Sequence, residues 1–211
     1  MARSPTPATA ERVNPAVRRR EVLEAALELL AEHGYAGASL RKLAAKLGIQ
    51  QPSLYHYFTS KQDLVEQVLA TFADDMLTAS TSAPPERIED APRWIRDIVV
   101  ALYERRTHPL FVRVMFAVAR IDPRYSKMLR ELFVDRTEMA MRMFAKPFVD
   151  RGEIEESVAI YSARMTINAI ALTLMEEKVL FEDRALRPEV LAYIDYVVES
   201  MRAHVIRNRL R

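Results

Sequence analysis

Apolar residues recur every three or four positions along most of the chain, which is the spacing of one face of an α-helix. The clearest case lies between Val17 and His33, where the apolar positions are Val22, Leu23, Ala26, Leu27 and Leu30. No stretch alternates convincingly with the two-residue period of a β-strand. The pattern therefore predicts an all-α fold.

Prolines and glycines mark the ends of the predicted helices, because proline interrupts a helix interior and glycine suits the left-handed cap. Gly34 is expected to end the first helix, Ser39 to cap the second and Gly48 to stop it. The predicted helices cover residues 17–33, 40–47, 51–57, 60–79, 92–106, 109–120, 123–151, 154–182 and 188–208.

Two local signals refine these boundaries. Ser60 and Asp63 resemble a capping box at the start of the fourth helix. Pro147 lies inside the seventh predicted helix and is expected to kink or end it.

Proline-containing segments also suggest how the chain is organised. Residues 1–16 are expected to form a flexible arm, and residues 80–92 form the clearest loop. We therefore expect an N-terminal domain over residues 17–79, including a connecting helix, and a C-terminal domain over residues 80–211.

Composition excludes several classes of protein. The 211 residues include no cysteine, which rules out disulfides, zinc-thiolate sites, iron–sulfur clusters and thiol nucleophiles. The longest apolar runs reach about six residues, whereas a membrane span needs roughly 20. The first 14 residues lack the apolar segment of a secretory signal. We expect a cytoplasmic protein without a membrane partner.

Charge is distributed unevenly although the net charge is only +2. Residues 1–61 contain nine lysines and arginines and five acidic residues, a net of +4, which leaves −2 for the remainder. A basic N-terminal segment on a slightly acidic body favours a polyanion as the partner of that segment.

The segment Leu40–Tyr57 has the pattern of two short helices joined by a tight turn. Its apolar positions are Leu43, Leu47, Ile49, Leu54 and Tyr57. Ala44 is small where two crossing helices must approach closely, and Gly48 stands where the turn needs a residue that tolerates positive φ. This combination is typical of a helix-turn-helix, whose second helix enters the major groove of DNA.

The same segment resembles the DNA-binding domain of the TetR family. The resemblance rests on ASLRKLAAKLGIQQPSLYHYFTSKQDLVEQVL and the preceding HGYAGAS, and it covers about residues 18–70. It implies a three-helix DNA-binding domain followed by a helical domain for ligand binding and dimerisation. The implied function is a ligand-responsive transcriptional regulator.

Four side chains have the chemistry to contact base edges. Gln51 can bond adenine through two hydrogen bonds, Ser53 can reach several base edges, and Pro52 can pack on a thymine methyl group. Arg41 can reach the O6 and N7 atoms of a guanine. The family resemblance places base contacts at these same positions.

The resemblance also implies contacts with DNA phosphates, which position a domain without reading sequence. The implied residues are Ser39, Tyr55, His56, Tyr57 and Lys61. Alternatives remain for three of them: Ser39 as a helix cap only, Tyr57 as core packing and Lys61 as a solvated residue. Leu40 departs from many relatives, which have a second hydroxyl or a valine there.

The C-terminal helices are expected to form a homodimer. The resemblance implies that helices at about 154–182 and 188–208 build a four-helix bundle across a two-fold axis, so that two recognition helices face a palindromic operator. The apolar rows are Ile154, Val158, Tyr161, Met165, Leu172 and Met175 in the first helix and Leu191, Ile194, Val197, Val198, Met201 and Val205 in the second. The alternative is that both rows complete the core of one protomer.

A ligand site is expected among adaptable side chains of the middle helices. The candidate residues are Trp94, Phe111, Met115, Met143, Arg164 and Asn168. Asn168 interrupts an apolar row and is expected to be a buried polar group that needs a partner, either a ligand, a neighbouring helix or the other subunit. The alternative is a plain core. No metal or cofactor is predicted, and neither tetracycline nor magnesium is carried over from the family.

An enzyme is not expected, because the four histidines are scattered and no catalytic motif is present. We expect a repressor that a small apolar or amphipathic effector releases from DNA. The alternatives are an activator and an architectural DNA-binding protein without an inducer. A cavity of several hundred Å³ within residues 90–182 would favour ligand control, and a filled core would favour the architectural protein.

Overall fold

The computed structural model describes residues 15–78, 83–181 and 185–210, and helices dominate all three ranges. The all-α prediction is confirmed. The α-helices are α1 Pro15–Gly37, α2 Leu40–Leu47, α3 Gln51–Leu54, α4 Lys61–Thr78, α5 Ala91–Glu104, α6 Thr107–Val118, α7 Pro123–Leu129, α8 Arg136–Asp150, α9 Glu156–Met175 and α10 Pro188–Arg207. A 3₁₀ turn at Ile88–Asp90 precedes α5, and π-helical turns at Arg130–Asp135 and Glu176–Leu180 follow α7 and α9.

Several predicted boundaries need correction. The predicted arm lies outside the described residues except for Pro15 and Ala16, which belong to α1. The predicted helix over residues 123–151 is interrupted by the π-helical turn. Pro147 does not end α8, which continues to Asp150. It lies in the last turn of the helix, where the hydrogen bond that proline cannot donate is close to the helix end.

Helices α1 to α4 share one core with part of the C-terminal body. Leu27, Leu43, Leu54 and Leu64 from α1 to α4 are fully buried and belong to the same cluster as Phe111 of α6. The division predicted near residue 79 falls on residues outside the described ranges. Helices α6 and α7 pack into the same core as α1 to α4. The described helices before and after residue 79 are therefore in direct contact.

A second core joins α5, α9 and α10. Its buried members include Ile95, Val99, Ala163, Ile170, Leu174, Val190, Ile194 and Val198. This corrects the expectation of a single apolar row on α10, because Ile194 and Val198 are buried within the protomer whereas Leu191 is exposed. The alternative of core packing therefore applies to part of that row.

Helix α9 is apolar on both of its faces. Ala163, Ile170 and Leu174 point into the core. Tyr161, Met165 and Leu172 are more than half exposed on the other side. The segment Glu156–Leu180 is in consequence long and apolar enough, by length and composition, to cross a membrane, a property that it shares with the core helices of soluble proteins. Uninterrupted apolar runs in the sequence give no sign of this property, because polar residues are scattered along the segment.

Candidate nucleic-acid interface

The turn between α2 and α3 has the geometry that the sequence predicts. Ser39 caps α2, and its Oγ accepts a hydrogen bond from the Lys42 N–H at 3.2 Å. Gly48 adopts the left-handed conformation with φ 65° and ψ 28°. The Ile49 N–H donates to the Ala44 carbonyl at 3.0 Å. These bonds fix the direction in which α3 leaves α2.

Helix α3 is a single turn that presents its N-terminal side chains. Leu54 is fully buried and anchors the helix, as the pattern predicts. Pro52 is exposed in the first turn, and Gln51 and Ser53 are half-buried beside it. The Gln51 Nε2 donates to the Tyr55 hydroxyl at 3.1 Å, which holds both side chains on the same side of the helix.

The predicted end of this helix at Tyr57 is wrong by one turn. The N–H groups of Tyr57 and Phe58 both donate to the Leu54 carbonyl at 2.9 Å, which closes the helix at Leu54. Tyr55 and His56 are exposed in the resulting turn. Tyr57 is half-buried and packs against the N-terminal core. Core packing is therefore one of its roles, and its contact with DNA stays a prediction.

Basic side chains surround this outward surface. Arg41 and Lys42 are exposed on α2. Lys61 lies with its Nζ 4.3 Å from the centre of the Tyr35 ring and donates to the Ala36 carbonyl at 3.4 Å. Lys42 was missed by the sequence analysis, although its place beside Arg41 outside the apolar positions of α2 was a usable signal.

Side chains of α4 hydrogen-bond the turn that follows α3. The Gln67 Nε2 donates to the Tyr57 carbonyl at 3.0 Å and to the Asp63 Oδ1 at 2.8 Å. Arg19 of α1 donates to the Gln67 Oε1 at 2.6 Å. The turn is therefore tied to both α1 and α4.

The capping box predicted at Ser60 and Asp63 is half correct. The Ser60 Oγ accepts the Asp63 N–H at 3.1 Å. The Asp63 carboxylate instead accepts the N–H of Thr59 at 2.7 Å. This backbone hydrogen bond, together with the one from Gln67, lowers the pKa of Asp63.

These helices match a known family of DNA-binding proteins. Residues 22–68 match the family described as bacterial regulatory proteins, tetR family. Residues 22–68 are therefore similar to the DNA-binding domain of the TetR family. The HTH-type transcriptional repressor KstR2 from Rhodococcus jostii is 42% identical over 59 residues, which are 28% of this chain and 29% of that protein. The tetracycline repressor protein class D from Escherichia coli is 44% identical over 68 residues, or 30% and 31% of the two chains.

The matched parts span less than a third of the length of these two relatives. A TetR transcription regulator from Haloarcula marismortui shares the fold more widely, with a TM-score of 0.68 over 92% of this chain and 100% of that chain at 15% identity. The helical body that follows the DNA-binding helices therefore shares its fold with that regulator.

The six predicted ligand residues do not line one common cavity. Phe111 is fully buried, Met115 is half-buried, and Trp94 stacks on Phe144 with ring centres 4.9 Å apart. Met143 is 67% exposed on α8.

Arg164 and Asn168 are exposed on the outward face of α9. Asn168 is not buried within the single protomer, because its apolar neighbours Tyr161, Met165 and Leu172 lie on the outward face of α9. Its burial against the other subunit stays a prediction. A ligand role for these residues stays a prediction.

Two of the cavities between the described helices are small. One of about 100 Å³ lies between α1 and α4 on one side and α5 and α6 on the other. The second, of about 10 Å³, lies among α5, α8, α9 and α10. Neither reaches the several hundred Å³ that the sequence analysis set as a sign of ligand control.

Proposed function

We propose that this protein is a homodimeric transcriptional repressor that binds a palindromic operator in the cytoplasm. The observation that carries the proposal is the α2–turn–α3 unit, with Gln51, Pro52 and Ser53 at the start of α3 and Arg41 exposed nearby. In this role Gln51, Ser53 and Arg41 read base edges, and Pro52 packs on a thymine methyl group.

Phosphate contacts hold the unit on the duplex. Tyr55 and His56 are exposed in the turn after α3, and Ser39 marks the start of α2. Lys61 and Tyr57 complete the proposed set. The structure adds Lys42 as a further candidate because its charge is exposed beside Arg41. These contacts supply affinity that depends on salt rather than on sequence.

Dimerisation is supported by the outward face of α9. Tyr161, Met165 and Leu172 follow one another at helical spacing and are more than half exposed in one protomer. On α10, Leu191, Tyr193 and Tyr196 are also exposed. A second copy related by a two-fold axis would cover these side chains and present two α3 helices to the halves of a palindrome.

We propose further that a small apolar or amphipathic effector weakens operator binding. It would do so only by preferring a state in which the two DNA-binding units are wrongly spaced. The core shared by α1, α4, α6 and α7 supports such a coupling. Because the cavities are small, binding of such an effector would have to open the C-terminal helices.

The small cavities favour one alternative, an architectural DNA-binding protein of the same fold without an inducer. Selection of bound sequences from a random duplex pool at physiological salt separates the two. Enrichment of a palindrome whose half-sites lie about one helical turn apart, or a multiple of it, is expected for the repressor. Binding without any enriched site, with an affinity set by salt alone, would support the architectural protein.

A further inference from the structure

The larger cavity lies at the contact between the DNA-binding helices and the C-terminal helices. Its apolar walls are Phe72 of α4, Leu102 of α5 and Phe111 of α6. Its volume of about 100 Å³ corresponds to roughly three water molecules in liquid water. The cavity therefore suits a small molecule with a short apolar part.

His108 supplies an unused hydrogen-bonding group in this cavity. It is only 6% exposed and lines the cavity wall. Its ring meets Tyr103 edge-on with centres 4.6 Å apart. Within residues 15–78, 83–181 and 185–210 its imidazole makes no hydrogen bond to the protein. The imidazole is therefore available to hydrogen-bond a ligand in the cavity.

The charges that line the cavity favour an anion. Arg105 lies at the cavity and has no ion pair among the described residues. The other cation, Arg20, is already neutralised by Asp75 at 2.7 Å and by Glu24 at 2.8 Å. Burial and the positive charge of Arg105 lower the pKa of His108 to about 4. Helix α6 begins at Thr107, and its dipole adds to the positive potential.

We propose that this cavity binds a small carboxylate of about two or three carbons, such as acetate or propionate. Arg105 pairs with the carboxylate, His108 hydrogen-bonds it, and the alkyl part packs against the rings of Phe72 and Phe111. A phosphate fits less well, because the apolar walls would leave several of its oxygens without donors.

The position of the site suggests a consequence for DNA binding. Its walls come from α1 and α4 on one side and from α5 and α6 on the other, so an occupant changes how the two groups of helices fit together. This consequence rests on the proposed function, whereas binding of the carboxylate does not.

The test is a titration of the full chain with sodium propionate, observed through the histidine ring resonances by NMR at constant ionic strength. Propionamide and inorganic phosphate are titrated in parallel. The His108 resonance is assigned by its loss in His108→Gln. We expect a saturable shift with propionate alone, and a loss of affinity of about tenfold or more in Arg105→Gln, since a charge-assisted bond is removed.

Arg106→Gln is the matched control. Its side chain is 73% exposed and pairs with Glu28 at 2.6 Å, outside the cavity, yet it removes the same charge from the adjacent position. Affinity for propionate should be unchanged in this variant.

The proposal is overturned if propionate does not saturate, if propionamide shifts the resonance equally, if both arginine variants lose affinity alike, or if phosphate binds in preference. Operator binding is measured separately with and without propionate. A chain that takes up propionate but binds no operator would reject the proposed function and leave the site standing.

Discussion

Gln51 and Lys61 each hold an intramolecular contact that DNA binding would have to replace. The Gln51 amide is bonded to the Tyr55 hydroxyl, and the Lys61 ammonium lies over the Tyr35 ring. The contribution of either side chain to DNA affinity is therefore the difference between its contact with DNA and the contact that it gives up.

Replacement of Gln51 by alanine should weaken operator binding by roughly 1–3 kcal/mol and relax specificity at one base pair, because a bidentate base contact is lost. The measurement compares affinities for the selected operator and for random duplex. Gln50→Ala is the matched control, since Gln50 is exposed just before α3 and has no predicted base contact. An equal loss on random DNA would reject base readout by Gln51.

Replacement of Lys61 by alanine should weaken binding to all sequences alike and reduce the slope of log affinity against log salt by about one, because one phosphate contact is lost. Affinities measured over a series of salt concentrations give the slope. Lys146→Ala, at a lysine of α8 whose side chain is 71% exposed, should leave it unchanged. If the slope of Lys61→Ala equals that of the parent protein, Lys61 does not contact phosphate.

His108 should make the fold sensitive to acid. Its pKa is about 4 in the folded chain, against an ordinary value of 6.5. As the pH falls below 6.5, the unfolded chain takes up a proton at this histidine while the folded chain does not. The free energy of unfolding therefore keeps its full value above pH 6.5 and decreases as the pH falls toward 4. Between pH 7 and pH 5 the loss should be about 2 kcal/mol.

Urea unfolding at the two pH values measures this loss, with His108→Gln as the comparison. The variant lacks the titrating group. Between pH 7 and pH 5 its free energy of unfolding should therefore fall by about 2 kcal/mol less than that of the parent protein. The other charged groups that line the same cavity, Arg105, Arg20 and Asp75, are unchanged in the variant. Equal pH dependence of the two proteins would contradict the assigned role of burial.

At the scale of elements, the turn between α2 and α3 depends on the conformation of Gly48. With φ at 65°, a side chain is strained even though a Cβ there would meet nothing within 4 Å. Gly48→Ala should therefore cost about 1–2 kcal/mol of the free energy of unfolding. Gly48→Asn should reduce the free energy of unfolding by less, because asparagine tolerates the left-handed conformation. Urea unfolding at one protein concentration checks both, and equal losses would show that conformation is not the cause.

Helix α9 carries two apolar faces. Tyr161, Met165 and Leu172 form the row that the sequence pattern assigned to a dimer interface or to the protomer core, and they are exposed in the single protomer. The opposite face is apolar too, and the small residue Ala163 and the larger Ile170 fill the protomer core. When both faces are apolar, the pattern cannot indicate which one packs inward.

For the whole molecule, the outward face of α9 should decide the oligomeric state. Leu172 is 55% exposed in one protomer, and Leu172→Glu would place a charge in the proposed two-fold interface. We expect this variant to sediment as a monomer at micromolar concentration and to bind the palindrome more weakly. Ile121→Glu, at a 48% exposed apolar residue after α6, should stay dimeric. If the Leu172→Glu variant remains a dimer, the interface does not lie on the outward face of α9.

Contacts across the two groups of helices connect the DNA-binding unit to the body. Glu28 of α1 pairs with Lys46 of α2 at 3.0 Å and with Arg106, just before α6, at 2.6 Å. Both cations lower the pKa of this carboxyl, the Lys46 hydrogen bond most. A movement of the start of α6 would thus reach α2 through one shared carboxylate.

Local sequence signals are sufficient to predict most of the helices and the α2–turn–α3 unit. Ser39, Gly48, Pro52 and Leu54 act through local geometry: a cap, a left-handed turn, a first-turn proline and an apolar anchor. Each of these acts within a few residues of its own position, so the pattern of the chain is sufficient to predict it.

The packing of the C-terminal helices, in contrast, depends on contacts between distant segments of the chain. The inward face of α9 depends on α5 and α10, and the length of α3 depends on how Tyr57 and Phe58 fold back on Leu54. The cavity at His108 joins residues far apart in the chain. Such features arise from packing between distant segments, and local periodicity carries no information about which segments meet.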